Sequence, residues 1–226
     1  MLRDIEKAAV QVLLQKHVIE DSEMLALIGR LKKDFEGVED AAVDLSAWFA
    51  RINKNIKRAG MEVKTVTIKK EAGRDMELED DDNESGISRA VWMKYHGIVN
   101  LEEDFVSKEY GTSFGEPEIK LFSDLITQLL DKKVMSMFDV ETCTKNISLS
   151  ASRKAEVLLD LETEGWLQRE DERGYWELGM RSYLELKTHM EAVLVNGVPV
   201  QDGMDDDAIA KLQAEAKDSL PTVLLY

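Results

Sequence analysis

The chain has 226 residues, 44% hydrophobic and 33% charged, with a formal net charge of −16. The apolar share supports one large core or two small ones. The charge speaks against an autonomous DNA-binding protein, because nucleic-acid affinity rests mainly on cations that neutralise phosphates. No apolar run reaches the roughly 20 residues of a membrane helix. One cysteine, Cys143, excludes an intramolecular disulfide and fits a reducing compartment. Met1-Leu2-Arg3-Asp4 leads straight into an acidic amphipathic pattern, without the apolar core or cleavage motif of a signal peptide.

From Leu2 to Gln15, residues Ile5, Ala8, Ala9, Val12 and Leu13 recur at helical spacing. His17-Val18-Ile19 reads as an apolar connector. Asp21 or Ser22 is then the expected cap of a second helix carrying Met24, Leu27, Ile28, Leu31 and Phe35, broken by Gly37. A third helix is predicted from about Glu39 to Ala59, with Ala42, Leu45, Phe49, Ile52 and Ile56 on one face. Met61 to Lys70 alternates like a strand, but Met61 and Val63 are out of step with Val66 and Ile68, which predicts a bulge. Arg89 to Val99 reads as the returning strand. Between the strands, Glu71 to Gly86 carries eight acids and one base and reads as a solvated, mobile wing tip. Within it, Asp81-x-Asn83-x-Ser85-Gly86 has the start of a calcium loop, but Trp92 stands where the bidentate Glu is needed.

Leu101 to Gly115 reads as a connector, hinged at Gly111–Gly115. Pro117 then opens a helix with Ile119, Phe122, Leu125, Ile126, Leu129 and Leu130 on one stripe. Ser136 is the expected cap of a short helix through Lys145. Ser150 caps the next, with Ala151, Ala155, Leu158 and Leu161 predicted on one face and Gly165 as its stop. Trp166–Arg169 and Tyr175–Leu178 flank a turn and predict a hairpin. Met180, Tyr183, Leu184 and Leu186 mark a closing helix to about Met190. Val193 to Val200 holds an Asn-Gly hairpin signal, limited to an edge strand by Pro199. Asp205 to Lys217 predicts a short helix, and Ser219 to Tyr226 an apolar end with nothing to cover it. Three helices and a hairpin, twice over, predict a mainly α chain with small β wings (α+β): two tandem winged-helix domains. The expected boundaries are 1–110, 111–190 and a C-terminal extension, 191–226.

No catalytic constellation is visible. His17, His96 and His189 lack ligand spacing and read as surface or helix-end residues. Cys143 reads as a small core residue, and no glycine loop is followed by the Lys of a phosphate cradle. As a groove helix, Ser150–Glu164 sets Arg153 and Lys154 against Glu156, Asp160, Glu162 and Glu164, a sum of −2 that repels phosphates. The third helix is better supplied. Arg51, Lys54, Lys57 and Arg58 are the candidate DNA contacts, although cations at a helix C-terminus also serve the helix dipole. The four tryptophans read as core or hairpin residues, with Trp166 and Trp176 also candidate partner anchors.

Several stretches resemble non-SMC element 1, a subunit family of the Smc-five/six chromosome complex. Gln11-Val12-Leu13-Leu14-Gln15-Lys16-His17-Val18-Ile19-Glu20 resembles its opening helix and connector, and Ile52-Asn53-Lys54-Asn55-Ile56 the end of its third helix. Glu118-Ile119-Lys120-Leu121-Phe122 resembles the first helix of its second domain. Ala155 through Leu167 resembles its groove-type helix running into the wing, and Leu178-Gly179-Met180-Arg181 the start of its closing helix.

The resemblance implies a tandem winged-helix element whose first winged helix pairs with a MAGE-like subunit (non-SMC element 3). The pair would contact a kleisin (non-SMC element 4), in DNA repair and recombination on nuclear chromosomes. DNA would be met weakly or through the partner, and no membrane is involved. The candidate interface residues are Leu13, Leu14, Val18, Ile19, Met24 and Leu27. Acidic substitution at Val18 or Ile19 is expected to break the pair and spare the fold. Family members also carry a C-terminal variant RING that binds zinc, engages a ubiquitin-conjugating enzyme and promotes ubiquitin transfer. One Cys and three His cannot supply its roughly eight ligands, so residues 1–226 are expected to hold no zinc and to support no transfer alone.

Overall fold

A computed structural model describes residues 2–37, 43–71, 90–101, 114–169, 174–197 and 206–225. Its first half comprises α1 (Asp4–Lys16), β1 (Ile19–Glu20), α2 (Asp21–Glu36), α3 (Leu45–Ile56), β2 (Met61–Glu71) and β3 (Ala90–Asn100). The second comprises α4 (Glu116–Lys132), α5 (Met137–Cys143), α6 (Ala151–Thr163), β4 (Leu167–Arg169), β5 (Trp176–Leu178), α7 (Met180–Glu185) and α8 (Lys187–Asn196). After these come α9 (Asp206–Asp218) and β6 (Thr222–Leu225). Both halves are winged helices, as the pattern predicts. The calcium-loop resemblance, most of the acidic wing tip and the Gly111 hinge lie outside the described residues.

In the first core, Ile5, Ala9 and Leu13 of α1 meet Met24 and Ile28 of α2, Phe49 and Ile52 of α3, and Val63 and Ile98 of the hairpin. Each of these side chains except Ala9 contributes about 1.5–3 kcal/mol by leaving water. Asn53 ties α3 to β2. Its Nδ2 donates to the Val63 carbonyl at 3.0 Å, and its Oδ1 accepts from the Val63 N–H at 2.7 Å. Helix α3 is shorter than expected, because the Asp44 carboxylate caps it by accepting from the Ala47 N–H at 3.1 Å. Lys57–Ala59 tightens into a 3-10 turn, and Gly60 leaves it with φ +68°.

The expected bulge in β2 is absent. Pairing with β3 is one-to-one from Met61↔Asn100 to Glu71↔Ala90. The apolar residues change phase because both faces of this hairpin are covered. Val63 faces α1–α3, whereas Val66 on the opposite face joins Val99 and Leu184 of α7, with Val18, Ile68, Tyr95 and Tyr183 packed around them. Gly97 marks the closest approach of these layers. A Cβ there would stand 2.5 Å from the His17 carbonyl oxygen and 2.9 Å from Leu184 Cδ1.

Ile19, expected in the connector His17-Val18-Ile19, instead pairs with β3 together with Glu20, and neither Asp21 nor Ser22 caps α2, since the helix already begins at Asp21. The Asp21 side chain is engaged by His96, which is buried rather than superficial. His96 lies with its ring centroid 4.9 Å from that of Phe49. Its Nε2 is 2.9 Å from Asp21 Oδ1 and its Nδ1 2.7 Å from Thr65 Oγ1. A carboxylate only accepts, so Nε2 carries the proton and Nδ1 accepts from the Thr65 hydroxyl. Burial holds the His96 pKa below its ordinary value of 6.5, against a smaller upward pull from Asp21. The unfolded chain therefore protonates first. This contribution to stability is complete above about pH 6.5 and is lost as pH falls toward the depressed folded value. Thermal melts followed by circular dichroism from pH 7.5 to 5 should show a falling midpoint, with a shallower fall in His96→Gln. Some slope should remain, because burial and Arg181 also lower the His17 pKa. An unchanged slope in the variant would assign the pH dependence elsewhere.

The second core gathers Leu121, Leu125 and Leu129 of α4, Val140 of α5, Val157, Leu158 and Leu161 of α6, and both wing tryptophans. Ser136 caps α5 and Ser150 caps α6, as predicted. Gly165 ends α6 in a Schellman motif, at φ +80°, with Trp166 N–H on the Leu161 carbonyl and Gly165 N–H on that of Glu162. Trp166 and Trp176, the candidate partner anchors, are core residues capped by Arg181 and Arg169, whose guanidinium carbons sit 4.0 and 4.5 Å from the ring centroids. They offer no free face to a partner.

Beyond α7 the expectations need two corrections. Val193–Asn196 is helical, not a hairpin, because Met190, Val193 and Leu194 follow the helical period onto the second core, and the Gly197 N–H closes on the Val193 carbonyl. The C-terminal end forms a strand: β6 pairs with β2 from Lys64↔Leu225 to Thr67↔Thr222. The resulting sheet has the order β1-β3-β2-β6. The segment expected as an extension from 191 onward thus packs on the second core and completes a sheet of the first.

Candidate partner interface

The six candidate interface residues divide on burial. Leu13, Ile19, Met24 and Leu27 are core. Val18 is half-buried against the cluster between the two winged helices. Only Leu14 is exposed, at 45%. The helical period explains this: Leu13 and Leu14 are 100° apart, so one turns inward and the other out. Exposed Leu25 on α2 and Phe35 near its C-terminal end were not among the candidates. Lys16 of α1 pairs with Glu23 of α2, each about 200° of helix away from Leu14 and Leu25 respectively. No sequence pattern separates Leu25 from Met24, because both fit one broad amphipathic stripe.

The four candidate DNA contacts are all exposed, but two are already engaged. Arg51 Nε lies 3.3 Å from Glu6, a buried carboxylate also held by Arg3. Lys57 Nζ lies 2.5 Å from Glu62, which is likewise buried. Lys54 and Arg58 have no ion pair among the described residues.

In the second domain the cations of α6 turn inward. Arg153 Nε donates to Glu118 Oε1 at 2.6 Å, while Gly115 N–H donates to Glu118 Oε2, also at 2.6 Å. Those bonds hold the Glu118 carboxyl below its ordinary pKa and lock the starts of α4 and α6 together. Lys154 Nζ donates to the Thr144 carbonyl at 2.6 Å. The outer face of α6 is left with Ser152, Ala155, Glu156, Leu159, Asp160 and Thr163, so Ala151 and Ala155, expected on the core face, are exposed. A groove helix with that face repels phosphates more firmly than its summed charge suggests.

His17 follows the end of α1, and His189 lies within α8. Cys143 is half-buried against the second core, and burial pushes its thiol pKa up, which suits a packing role rather than a nucleophile.

Fold and surface define a tandem winged-helix protein in which three of the six groove-type cations, Arg51, Lys57 and Arg153, are engaged in internal ion pairs. A family model described as the Nse1 non-SMC component of the SMC5-6 complex matches residues 6–147, more than half of the chain, and the chain belongs to that family. Among solved structures, a chain of an "Nse1-Nse3-Nse4 complex" has the same fold, with a TM-score of 0.62 at 17% identity, covering 84% of this chain and 74% of that one. No curated protein sequence matches the chain.

Proposed function

We propose that this chain is a structural subunit of the Smc-five/six complex, pairing with a MAGE-like subunit and, with it, contacting the kleisin. The match over residues 6–147, on a fold shared with a chain of the Nse1-Nse3-Nse4 complex, carries the reading. Its setting is DNA repair and recombination on nuclear chromosomes. The pairing surface includes exposed Leu14 rather than the core residues beside it. Co-expression with a MAGE-like subunit and affinity purification test it: a stoichiometric pair is expected, and separate elution would refute the proposal. Ubiquitin transfer would belong to the family's zinc-binding RING and the ubiquitin-conjugating enzyme it positions. No step of it is assigned to residues 1–226.

Exposed Lys54 and Arg58 favour one second reading, direct and sequence-independent binding of double-stranded DNA. Two free cations release few counterions, so binding should be weak and salt-sensitive. In a gel shift, the chain alone should retard duplex DNA only at low salt, and Lys54→Ala with Arg58→Ala should abolish the shift. Tight binding at physiological salt that survives both substitutions would promote DNA to a primary partner.

A further inference from the structure

The cleft between the hairpin of the first winged helix and the wing of the second has no role in the pairing just described. Its volume is about 460 Å³, within the range of roughly 300–1,000 Å³ typical of ligand sites. Ile68, Lys69, Trp92, Glu177, Tyr183 and Asp218 are among the residues that line it.

Three observations converge on what it takes. First, β6 covers the outer edge of β2 only over Lys64–Thr67. Beyond Thr67, no described strand pairs with β2 on that side, and the cleft lies between Thr67–Lys69 and the segment Asp218–Pro221 that leads into β6. An open edge is a template for another strand, and a pocket beside it supplies the side-chain selection. Second, Trp92, the cross-strand partner of Lys69, is 65% exposed, while Trp48, Trp166 and Trp176 are buried. An exposed indole beside a cleft is the kind of side chain that anchors partners and cations. Third, the walls carry two carboxylates, Glu177 and Asp218, against one ammonium, Lys69, in a chain of net charge −16.

We propose that this cleft binds an extended peptide, which adds as a strand to the open edge of β2 and places a basic side chain near Glu177, Asp218 and Trp92. The strand supplies main-chain hydrogen bonds, the apolar wall takes alternate side chains, and the acids select arginine or lysine. The inference does not depend on which complex the chain joins.

The test is selection of a phage-displayed random nonapeptide library on the immobilised full chain, followed by fluorescence anisotropy with a labelled synthetic copy of the recovered sequence. An alternating apolar consensus with a central arginine or lysine is expected. Binding should weaken about tenfold or more with Glu177→Gln plus Asp218→Asn, and similarly with Trp92→Ala. N-methylation of alternate amides in one register of the peptide should abolish binding, and the other register should tolerate it. Leu14→Asp should bind normally, which separates this site from the pairing surface. An acidic or uncharged consensus, no enrichment, affinity unchanged by the substitutions, or tolerance of N-methylation in both registers would each overturn the proposal. So would sedimentation showing that Trp92 instead mediates self-association.

Discussion

Ile19→Asp should unfold the first winged helix, whereas Leu14→Asp should leave it folded and abolish pairing with the MAGE-like subunit. Ile19 is fully buried in β1, paired with His96 and packed in the first core. Its replacement forfeits about 2 kcal/mol of apolar transfer. It also buries a carboxylate in the apolar first core, at a cost of several kcal/mol more. A domain stable by about 5–15 kcal/mol does not absorb that comfortably. Leu14 makes no such contribution, since it faces solvent on α1. An aspartate there costs the monomer little, but in a pairing surface it meets a desolvated apolar partner, and a central interface residue is worth about 2 kcal/mol or more. Urea melts of the single chain and co-purification with the partner separate the two effects. Ile19→Asp should lower the midpoint sharply, and Leu14→Asp should shift it by less than about 0.5 kcal/mol equivalent. If Leu14→Asp still co-purifies, pairing uses another face, and Phe35 or Phe138 becomes the next residue to test.

The reasons these two neighbouring stretches behave differently also mark what the sequence revealed. Most caps and breakers are local, so Ser136, Ser150, Gly37 and Gly165 were legible: each acts through backbone groups a few residues away. The order of helices and hairpins followed from periodicity for the same reason. Two local signals misled, the Asp21 or Ser22 cap and the start of α3 at Asp44; the other failures were non-local. The phase change at Val63 and Val66 looks like a bulge until α7 is known to cover the second face of the hairpin. The Asn-Gly pair at 196–197 signals a hairpin until Val193 and Leu194 are seen to pack on the second core. His96 looks like a surface histidine until Thr65 and Asp21 arrive from 31 and 75 residues away. At the candidate site, the type of residue was legible but its direction was not. A helix with apolar residues on more than half its circumference does not declare which of them face the core, and Leu13 and Leu14 differ only in that. The cations of α3 were legible as a cluster, but not the buried carboxylates, Glu6 and Glu62, that engage two of them.

Gly179→Ala is expected to be more disruptive than any other glycine-to-alanine change in the second winged helix. A Cβ at Gly179 would stand 2.2 Å from the Gly165 carbonyl oxygen, 2.8 Å from its carbon and 2.9 Å from the Trp166 carbonyl carbon. All three are backbone atoms, so no side chain can rotate away, and the chain itself must move. It is not free to do so. Gly179 N–H donates to the Trp166 carbonyl, Arg181 N–H to the Gly165 carbonyl, and Ser182 Oγ to the Trp166 carbonyl at 2.6 Å. Those bonds hold the start of α7 against the start of β4. Separating them by even about 1 Å stretches each beyond hydrogen-bonding range, and overpacking of this kind costs about 1–3 kcal/mol before lost hydrogen bonds are added. The effect should not stay local. Helix α7 carries Leu184 into the cluster with Val66 and Val99, where the two winged helices meet, so its displacement loosens the first domain's hairpin as well. Gly174→Ala offers the contrast. Its φ of +66° adds strain, but nothing lies within 4 Å of its Cβ position. Hydrogen exchange should therefore show Gly179→Ala raising exchange in α7, β4 and the central residues of β2 and β3 together, while Gly174→Ala raises it only around its own turn. If exchange in Gly179→Ala rises in α7 alone, with β2 and β3 as protected as before, then α7 is a cover on the hairpin and not a joint between the domains.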